Sequence, residues 1–489
     1  MKKLSIPPEI LNIVETLNKA DFEAYLVGGC VRDYLLGVSP KDWDITTNAK
    51  PEEIIPLFPK TVYENVYGTV AVVNEAVTDE TLRIVEITPY RLESAYSDNR
   101  HPDAVLFSDK IEDDLLRRDF TINALALDPS KGQIVDLYKG QEDLKAGVIR
   151  AVGAADKRFQ EDALRMLRAV RFAAQLGFTI NIETEKAIKN NVSLLNNIAK
   201  ERIRDELVKI LLSDRPMFGL DLAQKLGMLP FISAELEKGI GMEQTQAHAY
   251  TVWEHLLHSL QHAADKKWSL EIRLAALFHD IAKPHTMRFD EKTGIRTFYG
   301  HDVVGAKITK RILNELRFPL STIDVVAKLV RWHMFFSDTD QVTLSAVRRI
   351  ITNVGKDHIW DLMNLRACDR IGTGRPKENP YRLRKYKSMI DEALHDPISV
   401  GMLAIDGKGI MEAAKMPPGP KVGHILHALL QEVLEDPKLN TKGYLSKKAI
   451  ELATFSENVL KKLGDKGKEK KDREEEKNLE EIRKKHWVK

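Results

Sequence analysis

Two aspartates, Asp42 and Asp44, are the residues of this 489-residue chain whose type and spacing most clearly indicate chemistry. On an extended strand, residues i and i+2 project from the same face, so the two carboxylates would lie side by side. Such a pair is unfavourable unless cations lie between the two groups. Carboxylate oxygens suit Mg²⁺, which proteins usually share between carboxylates and substrate phosphates. The alternative, which an isolated pair would favour, is an acidic strand that faces solvent.

A pair of glycines upstream favours the metal interpretation. Gly28 and Gly29 lie between the strand-like AYLV and the helical VRDYLL. Glycines at a strand-to-helix junction permit close backbone approach and direct amide N–H groups towards an anion. Glycine pairs are common in tight turns and are weak evidence alone. Together with Asp42 and Asp44, they predict a site for phosphate and metal.

The segment RRDFTINA carries further side chains suited to a nucleotide. Arg117 and Arg118 can donate bidentate hydrogen bonds to phosphate oxygens. Asp119 and Asn123 are four residues apart, so a helix would place both on one face, where they suit ribose hydroxyls. The alternative is a capped helix start whose arginines lie in solvent.

A third segment, EDALRMLRAVRF, indicates base recognition. Asp162 and Arg165 are three residues apart, so on a helix both side chains can reach one ligand. A carboxylate accepts from an exocyclic amine and a guanidinium donates to a ring nitrogen. Cytosine and adenine present that edge, whereas uracil and guanine present the reverse pattern. The pair could select CTP and ATP without a nucleic-acid template, although spacing alone favours an intrahelical salt bridge.

These motifs resemble those of a known family. GG-x-VRD-x-LLG-x4-D-x-D resembles the first motif of the CCA-adding enzymes and of the bacterial poly(A) polymerases, within the DNA polymerase β superfamily of nucleotidyltransferases. The resemblance continues through RRDFTINALA, EDALRMLRAVRFAAQLGF and ERIRDEL, and covers about the first 210 residues closely.

The resemblance implies template-independent addition of C, C and A to the 3′ end of tRNA from CTP and ATP, with release of pyrophosphate. Asp42 and Asp44 would be the catalytic residues and would hold two Mg²⁺ ions. The implied nucleotide-binding residues are Gly28, Gly29, Arg32, Arg117, Arg118, Asp119, Asn123, Asp162, Arg165, Arg168 and Arg171.

The segment YRLESAYSDNRHPDAVLF resembles the flexible loop that helps the family to change from CTP to ATP. Its presence argues against an enzyme that adds only the two cytidines. Glu86, in the strand-like IVEIT, is either a third carboxylate near the metals or an ordinary glutamate of an edge strand.

The second half of the chain resembles the HD phosphohydrolase superfamily, because LAALFHDIAK places His279 and Asp280 after an apolar helix. Imidazole and carboxylate groups of this kind can hold a divalent metal. The resemblance implies one candidate second metal site, whose residues appear in the order that the superfamily uses: His255, His279, Asp280, His301, His333 and Asp369.

Three alternatives stay open at this point. A poly(A) polymerase, or an enzyme that adds only the final A, shares the fold. An HD-type phosphohydrolase with a vestigial head is a second alternative, against which the intact aspartate pair argues. A non-enzymatic RNA-binding protein is the third, and the clustering of catalytic residue types disfavours it.

The elements that must position these residues predict an α+β protein. Short strand-like runs alternate with helices up to about residue 140: AYLV, TVAVV, LRIVEIT and INALALD. Beyond that point, apolar residues recur every three or four positions, which predicts helices. The expected domains are a polymerase β-like head (1–140), a neck for nucleotide selection and RNA binding (141–215), an HD-like body (216–375), a tRNA-binding tail (376–460) and a charged extension (461–489).

Composition narrows the setting. The net charge is only +2, from 74 basic and 72 acidic residues, so a nucleic-acid surface must be a local patch. Two cysteines form no disulfide framework, which fits a reducing, cytoplasmic location. No apolar run is long enough to span a membrane. Nothing specifies an oligomeric state. In YRLRKYK at 381–387, cations and tyrosines suit RNA contacts or a plain exposed helix, and the last 26 residues suggest a solvated or fraying helix.

Overall fold

The computed structural model describes residues 5–63, 68–93, 105–244, 249–291, 294–335, 342–395 and 400–488. The chain forms two compact units. The first comprises Met1–His333 with Asn364–Pro376, and the second comprises Met334–Met363 with Lys377–Lys489. Within the described ranges, no helix has the length and the apolar character that crossing a membrane would need.

The N-terminal part of the first unit contains nine strands. They are β1 (Ala24–Val27), β2 (Asp44–Thr47), β3 (Thr61–Tyr63), β4 (Val70–Val73), β5 (Ile84–Pro89), β6 (Arg91–Glu93), β7 (Val105–Phe107), β8 (Ala126–Asp128) and β9 (Gln133–Val135). Seven of them form a mixed sheet in the order β3-β4-β5-β2-β1-β8-β9, in which β2 and β5 run parallel, and β6 pairs with β7 separately.

Six helices accompany this sheet: α1 (Pro8–Lys19), α2 (Gly29–Leu36), α3 (Pro51–Ile54), α4 (Glu80–Arg83), α5 (Ile111–Leu116) and α6 (Gly140–Ala146). The N-terminal helix α1 buries Val14 and Leu17 in a core shared with Leu26 and Ile45 of the sheet. The four predicted strands are confirmed in part. Only the last three residues of INALALD are a strand, because a 3₁₀ turn occupies Thr121–Asn123.

The remainder of the first unit is almost wholly helical, as predicted. Its helices are α7 (Ala155–Glu161), α8 (Leu164–Leu176), α9 (Ile182–Asn191), α10 (Lys200–Leu211), α11 (Pro216–Lys225), α12 (Leu229–Glu237), α13 (Val252–Asp265), α14 (Leu270–Phe278), α15 (Lys283–Thr286), α16 (His301–Glu315) and α17 (Leu320–Trp332). Two small sheets join β10 (Val148–Ile149) to β11 (Thr179–Ile180), and β12 (Arg288–Asp290) to β13 (Ile295–Thr297). The α+β fold class is therefore confirmed.

The second unit is helical throughout its described part. It contains α18 (Leu344–Val354), the start of α19 (Ile359–Gly372), α20 (Tyr381–Leu394), α21 (Gly407–Ala414), α22 (Pro420–Glu435), α23 (Lys442–Ala453) and α24 (Glu457–Lys485). Its core includes Ile410, Ile425, Leu429, Leu445 and Leu460. These residues come from α21, α22, α23 and α24, so α24 shares the core of the unit rather than extending from it.

Two glycines explain how the charged helix α24 packs against α22. A Cβ atom at Gly464 would lie 3.1 Å from the Cα of His424, and one at Gly467 would overlap the backbone oxygen of His427. Both glycines are buried. The C-terminal stretch is thus a helix, as expected, but one face of it is packed rather than solvated, because missing side chains let the two backbones approach closely.

We predict that Gly467→Ala loosens α24. The added methyl group overlaps backbone, and overpacking of this kind typically costs about 1–3 kcal/mol. Gly423→Ala is the matched control, because nothing lies within 4 Å of a Cβ at that position of α22. Hydrogen exchange of the α24 amides should accelerate in the first variant and be unchanged or slowed in the second. Equal protection in the two variants would contradict the close packing.

Candidate functional site

The aspartate pair lies where β2 begins. Asp44 is the first residue of the strand, and Asp42 precedes it in a bend, so the strand is shorter than the spacing argument assumed. Trp43 between them is buried and anchors the segment. Burial raises the pKa of the Asp44 carboxyl, Arg118 lowers it, and the nearby charge of Asp42 raises it again. A cation held by the two carboxylates would relieve both unfavourable effects.

Glu86 lies beside Asp44 on the neighbouring strand. The parallel register of β2 and β5 pairs the two residues, so their side chains share one face of the sheet. β5 lies between β4 and β2, and the edge-strand interpretation of Glu86 is therefore wrong. Asp42, Asp44 and Glu86 together offer the hard oxygen ligands that suit Mg²⁺.

The glycine turn brings the helix N-terminus to this pair. Gly28 has a φ of 78° and caps α2, whose first residue is Gly29. A Cβ atom at Gly28 would lie 2.9 Å from Nη1 of Arg118 and 3.8 Å from Oδ2 of Asp44. Glycine is therefore needed twice over, for its backbone conformation and for the space that Arg118 and Asp44 share.

Both arginines of the second motif are held by a buried carboxylate that the sequence argument missed. Asp114 accepts from Nη2 of Arg117 at 2.5 Å and from Nη2 of Arg118 at 2.9 Å. Burial opposes its charge, yet the two guanidinium groups keep the pKa of Asp114 below its usual value. Each arginine side chain is only 17% exposed, which contradicts the solvated-arginine alternative. The i, i+3 and i, i+4 spacings were the available signal.

Asp119 and Asn123 are in contact but not on a helix. The chain is extended at Phe120, with a φ of −129°, and then forms a 3₁₀ turn. The prediction of a shared helix face was therefore wrong. Nδ2 of Asn123 still donates to Oδ1 of Asp119 at 3.1 Å, and Nη1 of Arg32 donates to Oδ1 of Asn123 at 2.8 Å. The 3₁₀ turn thus brings the side chains of Asp119 and Asn123 into contact, although the two residues do not share a helix.

Arg168 connects this turn to α8. Its Nη2 lies 2.6 Å from Oδ2 of Asp119. Burial opposes the charge of Asp119, but Arg168 and the hydrogen bond from Asn123 hold its pKa well below the usual range. The carboxylate therefore stays ionised and fixes the guanidinium of Arg168 beside the turn.

Three guanidinium groups surround the ring of Phe172. The Cζ atoms of Arg32, Arg168 and Arg171 lie 5.2, 5.5 and 4.2 Å from the ring centroid. Burial and the charge of Arg168 lower the pKa of Arg171 to about 10, although Glu206 lies 3.3 Å away. Crowded cations of this kind would be stabilised by a polyanion such as a triphosphate.

Asp162 and Arg165 do not share one helix. Asp162 is extended, with φ −139° and ψ 103°, and separates α7 from α8. Its carboxylate accepts from Arg202 at 2.9 and 3.3 Å. Arg165 instead donates to Glu161 at 2.8 Å and to the backbone oxygen of Arg117 at 2.8 Å. The prediction that one helix carries both side chains is therefore wrong. Among the described residues the two groups form no salt bridge with each other, so the alternative of an intrahelical salt bridge is wrong as well.

The segment at 90–107 lies mostly outside the described residues, whose gap here is 94–104. Its two ends form the antiparallel pair β6 and β7, in which Arg91 lies opposite Phe107. The expected role of the loop in changing from CTP to ATP stays a prediction.

The six predicted HD-like residues converge in the first unit as two overlapping sets. One contains His255, His279, Asp280 and Asp369, and the other contains Asp280, His301 and His333, each with its ligand atoms within 4.8 Å of one another. The two oxygens of Asp280 divide between the sets. Oδ2 lies 3.1 Å from Nε2 of His255, and Oδ1 lies 3.1 Å from Nε2 of His301.

Backbone carbonyls orient three of these imidazoles. The Nδ1 atoms of His279, His301 and His333 lie 2.9, 2.7 and 2.7 Å from the backbone oxygens of the residues three positions earlier. A proton on Nδ1 leaves the Nε2 lone pair free for a metal. Burial opposes protonation of His279, but Asp280 raises its pKa to about 10. The buried carboxylates thus favour positive charge at His279.

Lys283 adds a cation that the sequence argument missed. Its Nζ lies 2.5 Å from Oδ2 of Asp280 and the side chain is buried. Arg366 likewise pairs with Asp369. The site therefore combines metal-ligand chemistry with a cation that could contact an anionic substrate.

Three family models match the chain. The poly A polymerase head domain matches residues 24–150, the probable RNA and SrmB-binding site of polymerase A matches residues 177–239, and the HD domain matches residues 252–378. The matched order agrees with the order of the sites described above.

Several curated proteins are similar over most of their length. The CCA-adding enzyme of Lactiplantibacillus plantarum is 35% identical over 86% of this chain and 90% of the relative. The CC-adding tRNA nucleotidyltransferase of Thermus thermophilus is 35% identical over 84% of this chain and 90% of the relative. Among solved structures, the CCA-adding enzyme of Bacillus stearothermophilus in complex with CTP superposes with a TM-score of 0.60 and 28% identity, over 91% of this chain and 98% of that one.

Proposed function

The chain belongs to the family of CCA-adding enzymes, which are tRNA nucleotidyltransferases, and we propose that it adds C, C and A to the 3′ end of tRNA without a nucleic-acid template. The observation that carries this proposal is that the carboxylate pair and the glycine turn lie together in the head, beside an arginine cluster to which α2 and α8 contribute. Relatives that match over nine-tenths of their own length support it. The relatives do not favour a poly(A) polymerase or an HD-type phosphohydrolase as the main activity.

The reaction joins the 3′ oxygen of the RNA to the α-phosphorus of CTP or ATP and breaks the bond to pyrophosphate. Asp42 and Asp44 would hold two Mg²⁺ ions, and Glu86, which pairs with Asp44 in the sheet register, is proposed to assist. When bound, Mg²⁺ supplies activation of the attacking hydroxyl and neutralisation of the leaving pyrophosphate. The residues fit the ion because the raised pKa of Asp44 reflects negative charge that burial and Asp42 destabilise.

Arginines would bind the triphosphate. Arg118 lies against the turn at Gly28 and beside Asp44, and Arg32, Arg168 and Arg171 form the cationic cluster around Phe172. Asp114 orients the first of these groups and Asp119 orients Arg168. The acidic residues therefore act by fixing donors in position before substrate arrives, which lowers the entropy lost on binding. Gly29, Arg117 and Asn123 complete the proposed nucleotide site.

Base selection is assigned to Asp162 and Arg165. Both groups are already held, Asp162 by Arg202 and Arg165 by the backbone oxygen of Arg117. These contacts give each side chain a defined position, and that both face one nucleobase edge is part of the proposal. The proposal also keeps the predicted division into head (1–140), neck (141–215), HD-like body (216–375), tail (376–460) and extension (461–489), with RNA binding in the neck and tail.

The activity is tested with a tRNA transcript that lacks its last three nucleotides, Mg²⁺ and labelled nucleotides. CTP alone should add two residues, ATP alone none, and both together three, as read by sequencing the ends. Two additions with both nucleotides would indicate a CC-adding enzyme like the Thermus relative, and long adenosine tails would indicate a poly(A) polymerase.

In the same assay, Asp42→Ala and Asp44→Ala should lower turnover by several orders of magnitude while tRNA binding changes little. Retained CMP incorporation in either variant would refute the metal assignment.

We predict that Arg165→Ala weakens the use of CTP and ATP and narrows their advantage over UTP and GTP. Losing one charge-assisted hydrogen bond in a closed pocket costs about 1.5–3 kcal/mol, roughly tenfold to a hundredfold in kcat/KM. Arg204→Ala is the control, because Arg204 pairs with Asp205 on α10 and does not belong to the proposed site. An unchanged preference for C and A in Arg165→Ala would show that another part of the protein selects the base.

The HD-like site supports a second activity, hydrolysis of cyclic or terminal phosphates of RNA. The two sets of ligands share Asp280, so Asp280→Ala should reduce bound Mn²⁺, measured by mass spectrometry after desalting, and abolish phosphatase activity. Nucleotide addition should persist. His285→Ala is the control, because His285 pairs with Glu235 outside both sets. If the wild-type protein binds no metal and hydrolyses no phosphate, the HD-like site has only a structural role.

A further inference from the structure

A pocket of about 460 Å³ lies within the second unit, where the end of α24 meets α20. It belongs to none of the sites described above. Aromatic and cationic side chains line it: Trp360, Arg384, Lys387, Lys485, His486 and Trp487. Half of these come from the last residues of the charged C-terminal stretch, so that stretch builds one wall of the pocket.

Ion pairs fix the end of α24 in place. Nζ of Lys485 lies 2.7 Å from Oδ2 of Asp391, and Nε2 of His486 lies 2.8 Å from the same oxygen. Arg483 pairs with Glu392 at 3.2 Å. These contacts pair the carboxylates of Asp391 and Glu392 with the end of α24 and hold it against α20.

Aromatic rings provide flat surfaces at the pocket. The indole of Trp360 and the imidazole of His486 are nearly parallel, at an interplanar angle of 11° and a centroid distance of 6.2 Å. Trp487 follows directly and is 79% exposed. An indole left in solvent beside a cationic pocket suits a stacked nucleobase, because every base has a π face.

Donors in the pocket suit a phosphate. The Nε atom of Arg384 is buried and has no hydrogen-bond partner among the described residues. Lys387, one turn further along α20, donates to the side-chain oxygen of Asn379 at 2.7 Å. Buried donors are normally satisfied, and an anionic oxygen entering the pocket would satisfy the guanidinium of Arg384 with a charge-assisted hydrogen bond.

We propose that this pocket binds one nucleotide of an RNA chain, with the base stacked on Trp487 and the phosphate on Arg384 and Lys387. The combination of a free π face with cations selects a nucleotide over an acidic peptide, which would use only the cations. The identification of that RNA as the tRNA substrate rests on the proposed function. The C-terminal stretch is then part of the RNA-binding surface of the tail.

The test uses the full-length protein and a fluorescent tRNA transcript lacking its last three nucleotides. Trp487→Ala should raise the Kd about tenfold, and Trp487→Phe, which keeps a stacking ring, should restore most of the affinity. Tyr299→Ala is the matched control, because Tyr299 is an aromatic residue of similar exposure, 82%, in the first unit. Lys387→Gln should lower the slope of log Kd against log salt by about one.

Two outcomes would overturn the assignment. One is a Kd for Trp487→Ala equal to that of wild type. The other is binding of free CTP or ATP that is lost in Trp487→Ala while tRNA binding is unchanged. Incorporation of CMP and AMP by wild type in the same samples separates this test from the proposed function. If Trp487→Ala leaves the Kd unchanged while wild type incorporates both nucleotides, only the assignment of the pocket is refuted. If wild type incorporates no nucleotide, the proposed function is refuted.

Discussion

The approach of Arg118 to Asp44 across the missing side chain of Gly28 joins the main parts of the head. Gly28 lies between the strand β1 and the helix α2, Asp44 is the first residue of β2, and Arg118 follows α5. Any side chain at Gly28 would lie 2.9 Å from the guanidinium and would also need a φ of 78°. Three segments distant in the chain therefore share one small volume, and that volume is where an anionic substrate and a carboxylate-bound cation would meet.

Incomplete charge compensation distinguishes the proposed sites from the rest of the fold. Asp42 and Asp44 place like charges together, and Arg32, Arg168 and Arg171 do the same with the opposite sign. Each of these arginines is paired with a carboxylate, Asp33, Asp119 or Glu206, yet burial and the charge of Arg168 still lower the pKa of Arg171. Arrangements of this kind are unfavourable in a free protein and become favourable when a ligand supplies the missing charge, which is why shifted pKa values concentrate at functional sites.

The same reasoning applies to the HD-like site and to the pocket at α24. Asp280 is buried among imidazoles whose Nε2 atoms converge on it, and Lys283 completes its compensation. Near α24 the carboxylate of Asp391 is paired with Lys485 and His486, and the buried Nε atom of Arg384 on α20 has no hydrogen-bond partner among the described residues. At the HD-like site the buried carboxylate is thus compensated by a cation and by imidazoles, whereas at α24 one buried donor is left for a ligand to satisfy.

Local pattern in the sequence was sufficient to predict elements whose formation depends on neighbouring residues. The strand before Gly28, the helix after it and the end of α8 at Gly177, which has a φ of 72°, follow from periodicity and from the conformational freedom of glycine. The catalytic and metal-ligating candidates were likewise identifiable, because motifs preserve residue type and order. The sequence alone therefore identifies the family.

Contacts between distant segments were decided only by the tertiary structure. No local pattern indicates that Asp162 breaks a helix to meet Arg202, forty residues later, or that a 3₁₀ turn replaces the helix expected at Asp119 and Asn123. The pairing of Asp114 with two arginines has a local spacing, but its burial does not. The chain end illustrates the reason most clearly. The charge of α24 predicts a solvated helix. Its packing depends instead on a close approach between Gly464 and Gly467 of α24 and the backbone of α22, and only packing in three dimensions determines that approach.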